Sequence, residues 1–331
     1  MPESTAPAWR EWSTAAFSDA VRASRPVLLF LTVSWSAACD AMSRDVLGDP
    51  EVAAAVDRFC VPVRVDADRR PDIGERYGLG GWPTVVFLTP RGDVIGGGTY
   101  VDASRLVQAL HELDRAWQTR RPEIEAKAVA ARQARRARAA GGPPDPELPA
   151  DVDTRVADVL ASSYDREWAG FGGAPRLSEP APVIFSLGHG LRRGDTDAVD
   201  RAIDTLDRYG WSAMSDAESG AFHRACLTRD WQEPDRAILL EVQADLIRLF
   251  LEAGVALDER RYLDRARRAL HFVQEHLELE AGGFRLAAGA DGTLFTDAVA
   301  RMVRAGLQAA AVFDEPRWGE RAIAALERVV P

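Results

Sequence analysis

Two hydrophobic patterns divide this chain. Over residues 1–118 short apolar runs alternate with stretches of helical spacing. Ser13–Ser24 has helical spacing, Pro26–Val33 is a short apolar run rich in β-formers, and Ser34–Val46 passes from polar to helical. Asp49–Arg58 reads as a helix, Phe59–Val65 as a β-branched strand, and Pro71–Tyr77 as a short helix. Pro83–Leu88 and Asp93–Gly98 are strands joined by Thr89-Pro90-Arg91-Gly92, whose proline and glycine suit a hairpin turn. In Asp102–Trp117, Leu106, Val107, Leu110 and Leu113 share one helical face. Strands alternating with helices and ending in a hairpin and a helix predict a compact mixed-sheet α/β domain.

The second pattern is helical throughout. Pro122–Ala140 is rich in alanine and arginine and has few large apolar residues, which predicts an exposed helix with little core of its own. Gly141–Pro149 is a linker by its glycine and proline content. Beyond it strand signals vanish. Val183–Leu191, Asp197–Trp211, Asp235–Ala253, Arg260–Leu279, Thr296–Phe313 and Trp318–Val330 read as amphipathic helices. Three loops between them repeat an acidic residue shortly before a small-small-Phe turn: Glu167 to Phe171, Glu218 to Phe222, and Glu280 to Phe284. Helical hairpins with equivalent loops on one face predict an α/α toroid or solenoid, here an incomplete arc. The expected organisation is an α/β domain over 1–118, a basic connecting helix and linker over 119–149, and an α/α-hairpin domain over 150–331.

Composition narrows the partners. The chain of 331 residues has a formal net charge of −10, which argues against a nucleic-acid or anionic-membrane surface as the main partner. Its basic residues are almost all arginine, with Lys127 the only lysine. The run Arg120, Arg121, Lys127, Arg132, Arg135, Arg136 and Arg138 is expected to be a solvated face, or to dock on the protein's own acidic surface. No apolar stretch approaches the ~20 residues of a membrane helix, and no signal peptide is visible. Cys39, Cys60 and Cys226 are scattered and odd in number, so a reducing cytoplasm is the expected setting. No metal-binding motif occurs and no cofactor is implied.

The most informative segment is Val33-Ser-Trp35-Ser36-Ala-Ala-Cys39-Asp40-Ala-Met42, which follows an apolar run and opens a helix. A thioredoxin-like fold places its C-x-x-C there. Gly80-Gly81-Trp82-Pro83-Thr84, just before a strand, matches that fold's cis-proline location. The same residues resemble a narrower family, the YyaL-type or spermatogenesis-associated protein 20 family, which joins a thioredoxin-like domain to an α/α toroid. The resemblance runs through Trp12, Trp35–Met42, Val65–Ile73, Gly81–Pro90 and Gly97–Tyr100, then through Gly170-Phe171-Gly-Gly-Ala-Pro175-Arg176 and Phe222-His223-Arg224 with Asp230-Trp231 and Pro234. It implies a six-hairpin glycosidase-like helical domain, shortened here, since the chain is about half the usual family length and the later hairpins are expected to be missing.

Departures from the family pattern shape the functional expectation. The family motif C-H-W-C-H-x-M reads here Ser36-Ala-Ala-Cys39-Asp40-Ala-Met42. Ser36 therefore replaces the first cysteine, the one that a helix N-terminus activates as the attacking thiolate. Serine is a poor nucleophile without an adjacent base but a good helix N-cap. Cys60 reads as a buried small hydrophobe, and Cys226 receives no role. The family's P-H-F-E-K-M-L likewise becomes Pro234-Asp-Arg-Ala-Ile-Leu-Leu240. An inherited acid–base centre is therefore not expected. Candidates on the α/α loop face are Phe171, His223, Arg224, Asp230, Trp231 and Phe284, with carboxylates at Asp165, Glu167, Glu233 and Asp235. Gly188-His-Gly-Leu-Arg-Arg-Gly194 mimics a dinucleotide loop, but its spacing is one residue too long and it lies among helices. The expectation is a thioredoxin-like protein that has lost its dithiol and binds a protein or small molecule in a groove lined by Trp35, Ser36, Cys39, Trp82 and Pro83. The alternatives are thiol chemistry at Cys39 with an external thiol, and sugar-directed chemistry in the helical domain.

Overall fold

The computed structural model describes residues 6–141 and 149–330. Most of the expected linker, Gly141–Pro149, lies outside them. The chain forms two compact units, Met1–Asp145 and Pro146–Pro331.

The first unit contains α1 (Thr14–Ala23), β1 (Val27–Thr32), α2 (Ala37–Ala41), α3 (Pro50–Phe59), β2 (Val61–Asp66), α4 (Pro71–Tyr77), β3 (Thr84–Leu88), β4 (Val94–Gly98) and α5 (Ala103–Ala140). Strand order is β2-β1-β3-β4, with β2 parallel to β1 and the other two neighbouring pairs antiparallel. All six residues of β1 are buried, because both sheet faces are covered. Leu28 and Phe30 face a cluster with Val56, Phe59, Leu106 and Leu110 from α3 and α5. Val27, Leu29 and Leu31 face Ala16, Ala20, Ile73 and Tyr77 from α1 and α4. The strand's side chains alternate between these clusters, the two-residue period of a pleated backbone. This three-layer arrangement is thioredoxin-like.

Several expected boundaries move. Phe59 closes α3 instead of opening a strand, and Cys60 stands between them. The expected helix over 34–46 is α2 followed by a π-helical turn, Met42–Val46, in which the Leu47 amide donates to the Met42 carbonyl. The boundary expected at residue 118 falls inside α5. That helix kinks at Arg120, which leaves helical geometry two residues before Pro122. Its second half belongs to the first unit. Ala128 is buried, and Arg132 pairs at 2.9 Å with buried Asp93 in the β3–β4 turn.

The second unit contains α6 (Val152–Ser163), β5 (Arg176–Leu177), α7 (Pro180–Arg193), α8 (Thr196–Trp211), β6 (Ala225–Cys226), β7 (Pro234–Asp235), α9 (Leu240–Leu257), α10 (Arg260–Phe272), α11 (Thr296–Phe313) and α12 (Pro316–Glu327). Helices pair as α7 with α8, α9 with α10, and α11 with α12, while α9 also packs on α7 and α11. This is an arc of α/α-hairpins, with α7, α9 and α11 side by side. Strands β5, β6 and β7 form a small antiparallel sheet that the sequence reading missed, since two-residue strands carry no periodicity. For the same reason the helix expected from Asp235 begins only at Leu240.

Every hairpin closes in the same way. Gly194, Asp258 and Asp314 adopt left-handed φ of 70°, 54° and 54°. The amides of Asp195, Glu259 and Glu315 then donate to the carbonyls of Gly190, Gly254 and Ala310. A sequence repeat underlies this turn: Gly194-Asp195…Asp200-Arg201-Ala202, Asp258-Glu259…Asp264-Arg265-Ala266, and Asp314-Glu315…Glu320-Arg321-Ala322. The helices approach closely at glycine. A Cβ on Gly190 would stand 2.7 Å from the Asp195 carbonyl oxygen and 3.0 Å from the Val199 nitrogen. One on Gly188 would meet only the Arg192 guanidinium, a flexible neighbour. Gly190→Ala should therefore destabilise the protein by about 1–3 kcal/mol through overpacking. Gly188→Ala should be neutral or gain up to ~1 kcal/mol of helix propensity. Urea denaturation of the two variants checks the contrast; equal effects would show that the turn at Gly190 has slack.

Candidate functional site

In the thioredoxin-like unit, β1 delivers the chain to Ser34-Trp35-Ser36, and α2 starts from a Ser36 cap. The Cys39 amide lies 3.4 Å from the Ser36 hydroxyl, which accepts from it, and 2.9 Å from the Ser36 carbonyl. Cys39 is fully buried with Val33 and Ala67, and the half-buried Trp35 and Trp82 pack over this cluster. The Trp35 indole N–H donates to Asp68 at 3.3 Å. The Trp82–Pro83 peptide is cis, Pro83 is buried, and the Thr84 hydroxyl donates to the Gly81 carbonyl at 2.7 Å. The structure thus brings Trp35, Cys39 and Trp82 together and makes Ser36 a helix cap. All three cysteines are free and buried. Burial pushes the Cys60 thiol up to about 12 and Cys226 up to about 11.

The three Phe loops of the helical unit share a backbone bridge that closes each of them. Backbone bridges pair Tyr164 with Phe171, Ser215 with Phe222, and Glu278 with Phe284. In the first two, Asp165 and Asp216 each accept from amides two and three residues on, which shapes the turn. Phe222 and Phe284 are both buried and belong to the core. Phe222 stacks on Phe250 at 5.5 Å, and its backbone is clamped by fully buried Gln243 through two 2.8 Å bonds. Buried Arg265 lies 3.7 Å from the Phe222 ring centroid and donates to the Gly220 carbonyl at 2.8 Å and the Ser215 hydroxyl at 2.6 Å. Burial pulls its guanidinium down to about 9.

Most of the expected loop-face residues serve the framework. Trp231 is buried, donates to the Trp168 and Ala169 carbonyls at 2.9 and 3.1 Å, and meets Tyr209 edge-on. His223 is buried with Nδ1 2.9 Å from the Ala213 carbonyl. Asp230 accepts from the Thr228 hydroxyl at 2.5 Å. Exposed Glu233 holds a left-handed φ of 52°. Arg224 pairs with Asp235 at 2.8 Å and lines a cleft of about 310 Å³ with Glu179, Glu241, Asp245 and Arg301. There Arg301 holds Asp245 at 2.5 Å, while burial raises Glu241 above its ordinary range. Half-buried Phe171 lines an adjoining cleft with Gly172, Gly173, Pro175 and Tyr209. Among the described residues no cluster of three or more His, Cys, Asp or Glu is placed to hold a metal ion.

One network was missed. Buried Asp165 binds two guanidinium groups: Arg176, which is also buried, and Arg229 at 2.5 and 2.7 Å. Arg176 donates further to the Gly172 and Arg229 carbonyls, and Arg229 reaches Glu167 at 3.0 Å. The visible signal was the arginine that ends Gly-Gly-Ala-Pro-Arg176, a cation placed directly after a run of turn formers.

Residues 3–135 match the Thioredox_DsbH family, described as a protein of unknown function, DUF255. Spermatogenesis-associated protein 20 of Homo sapiens is 29% identical over 306 residues, covering 86% of this chain. The chain is similar to spermatogenesis-associated protein 20 over most of its length. It spans 39% of the length of that human relative. Among solved structures, a thioredoxin from Thermus thermophilus shares 23% identity, with a TM-score of 0.30, over 33% of this chain and 87% of that one. A sugar epimerase from a ruminal bacterium shares 14% identity, with a TM-score of 0.46, over 52% of this chain and 51% of that one. Ser36 stands where the resemblance leads one to expect the first cysteine of a dithiol, and the fold follows from the strand order and hairpins described above. No helix among the described residues is long and apolar enough to cross a membrane.

The Asp165 network makes a stability prediction. Its two arginines and the loop amides hold the carboxyl well below the usual range near about 4. A depressed folded pKa contributes stability that is fully present above the unfolded value and lost as pH falls toward the folded one. Asp165→Asn should cost about 3 kcal/mol at pH 7, the low end for a broken buried pair because Arg229 is half exposed. The gap from wild type should shrink below about pH 4. Urea unfolding at pH 7 and pH 3 checks this; an unchanged gap would assign the effect to shape instead of charge.

Proposed function

We propose that the thioredoxin-like unit is a binding module without dithiol redox activity, taking a protein or small-molecule ligand in the groove beside Trp35, Trp82 and Pro83. The observation that carries this reading is the state of the two motif positions. Ser36 spends its hydroxyl on capping α2, and Cys39 is sealed under two tryptophans. An attacking thiol must reach its substrate's sulfur as a thiolate. Here the helix N-terminus that would favour a thiolate carries a hydroxyl, and the thiol one turn on is enclosed. Three free, buried cysteines also suit a reducing cytoplasm, where we place the protein. In the helical unit, Asp165, Asp230 and Asp235 are held by neighbouring side chains, which supports structural roles for them rather than acid–base chemistry.

Turbidimetric insulin reduction with dithiothreitol tests the reading. The protein should give no acceleration over dithiothreitol alone, and Cys39 should react with a thiol reagent only as fast as the chain unfolds. Ser36→Cys should then restore a closable pair, since residues one helical turn apart fall within the ~4.4–6.8 Å Cα range of a disulfide. Mass mapping after mild oxidation would detect it. Insulin turnover by the unaltered protein, abolished by Cys39→Ala, would overturn the proposal in favour of thiol chemistry.

A further inference from the structure

A cleft of about 400 Å³ lies where the first Phe loop meets the C-terminal half of α8, lined by Arg166, Glu167, Asp204, Asp207, Arg208 and Trp211. Trp211 is 52% exposed, the one exposed tryptophan among the described residues. Its ring is supported by Phe250, edge-on at 6.2 Å between centroids, by Tyr262, tilted at 5.8 Å, and by the Arg261 guanidinium over it at 5.2 Å. A supported indole that keeps half of its surface open to water is an apolar platform at the edge of the cleft.

Charges around the platform divide unevenly. Each carboxylate is engaged: Glu167 accepts from Arg229 at 3.0 Å, Asp204 from the Tyr164 hydroxyl at 3.1 Å, and Asp207 from the Tyr262 hydroxyl at 2.9 Å and from Arg261 at 3.2 Å. Neither Arg166 nor Arg208 has a hydrogen-bonding or ion-pairing side-chain partner among the described residues. Arg208 sits in the last turn of α8, where a cation complements the helix dipole. That accounts for one arginine only. Arg166 comes from a different element, and the Asp165 network beside it fixes the backbone that presents it.

We propose that this cleft binds an oxyanion carried on a flat ring, an aromatic carboxylate being the simplest case. The ring would lie on Trp211, and the carboxylate would take the fork-shaped donors of Arg166 and Arg208. The neighbouring carboxylates, already bonded, would not compete for those guanidinium groups. This site is independent of the groove proposed for the thioredoxin-like unit.

Indole N–H resonances of the ¹⁵N-labelled full chain provide the readout, with Trp211→Phe assigning the Trp211 signal. Titration with 2-naphthoate should shift that signal saturably. The uncharged 2-naphthalenemethanol, which keeps the ring, and acetate, which keeps the charge, should each bind at least about tenfold more weakly. Arg166→Gln and Arg208→Gln lie at the surface, so folding should survive; each should weaken naphthoate by about tenfold. Three results would overturn the proposal: no saturable shift with naphthoate, equal affinity for the uncharged analogue, or unchanged affinity in the double arginine variant.

Discussion

The helical unit is organised around one buried carboxylate. Asp165 lies at the start of the first Phe loop, where two guanidinium groups and two backbone amides converge on it. Those guanidinium groups come from separate segments, Arg176 on β5 and Arg229 between β6 and β7, so one anion fastens two loops together. The Arg176 guanidinium also lies 5.3 Å from the Trp231 ring, whose N–H returns to the carbonyls at 168 and 169. Charge, cation–π contact and hydrogen bonds therefore close a circuit. Breaking it at one point leaves buried polar groups unpaired at the others.

The thioredoxin-like unit has the opposite character, since its rigidity is apolar. A strand buried on all six residues carries the motif, and a serine that caps a helix holds the turn. Replacing a thiol with a hydroxyl at that position preserves the backbone because the N-cap requires only an acceptor oxygen. Framework and chemistry are separable at this residue, since the cap that starts the helix does not depend on a thiol.

Much of this was legible in the sequence. Strands β1, β3 and β4, the helices about them, and the turn at residues 34–39 follow from local pattern and a recognisable motif. The long helices of the second unit show in their apolar stripes. What escaped depends on distance along the chain. Nothing local announces that Asp165 will meet Arg229, that Trp231 and Phe284 will be core, or that a seemingly solvated basic helix will bring Arg132 to Asp93. The repeat ending in Arg-Ala at 201–202, 265–266 and 321–322 was present in plain letters. It was hidden because its conserved feature is a turn conformation, which glycine serves once and aspartate twice.

That recurring turn has a consequence for how the second unit comes apart. Each hairpin is closed by bonds between residues only a few positions apart, and each packs chiefly on its neighbours, so its stability approximates a chain of linked local terms. In such a chain position matters as much as strength. Helix α9 touches both α7 and α11, whereas α12 is held mainly by its own partner. Loosening α12 would fray one end and leave the rest standing, while loosening α9 would sever the arc into two pieces, each too small to hold a core of its own.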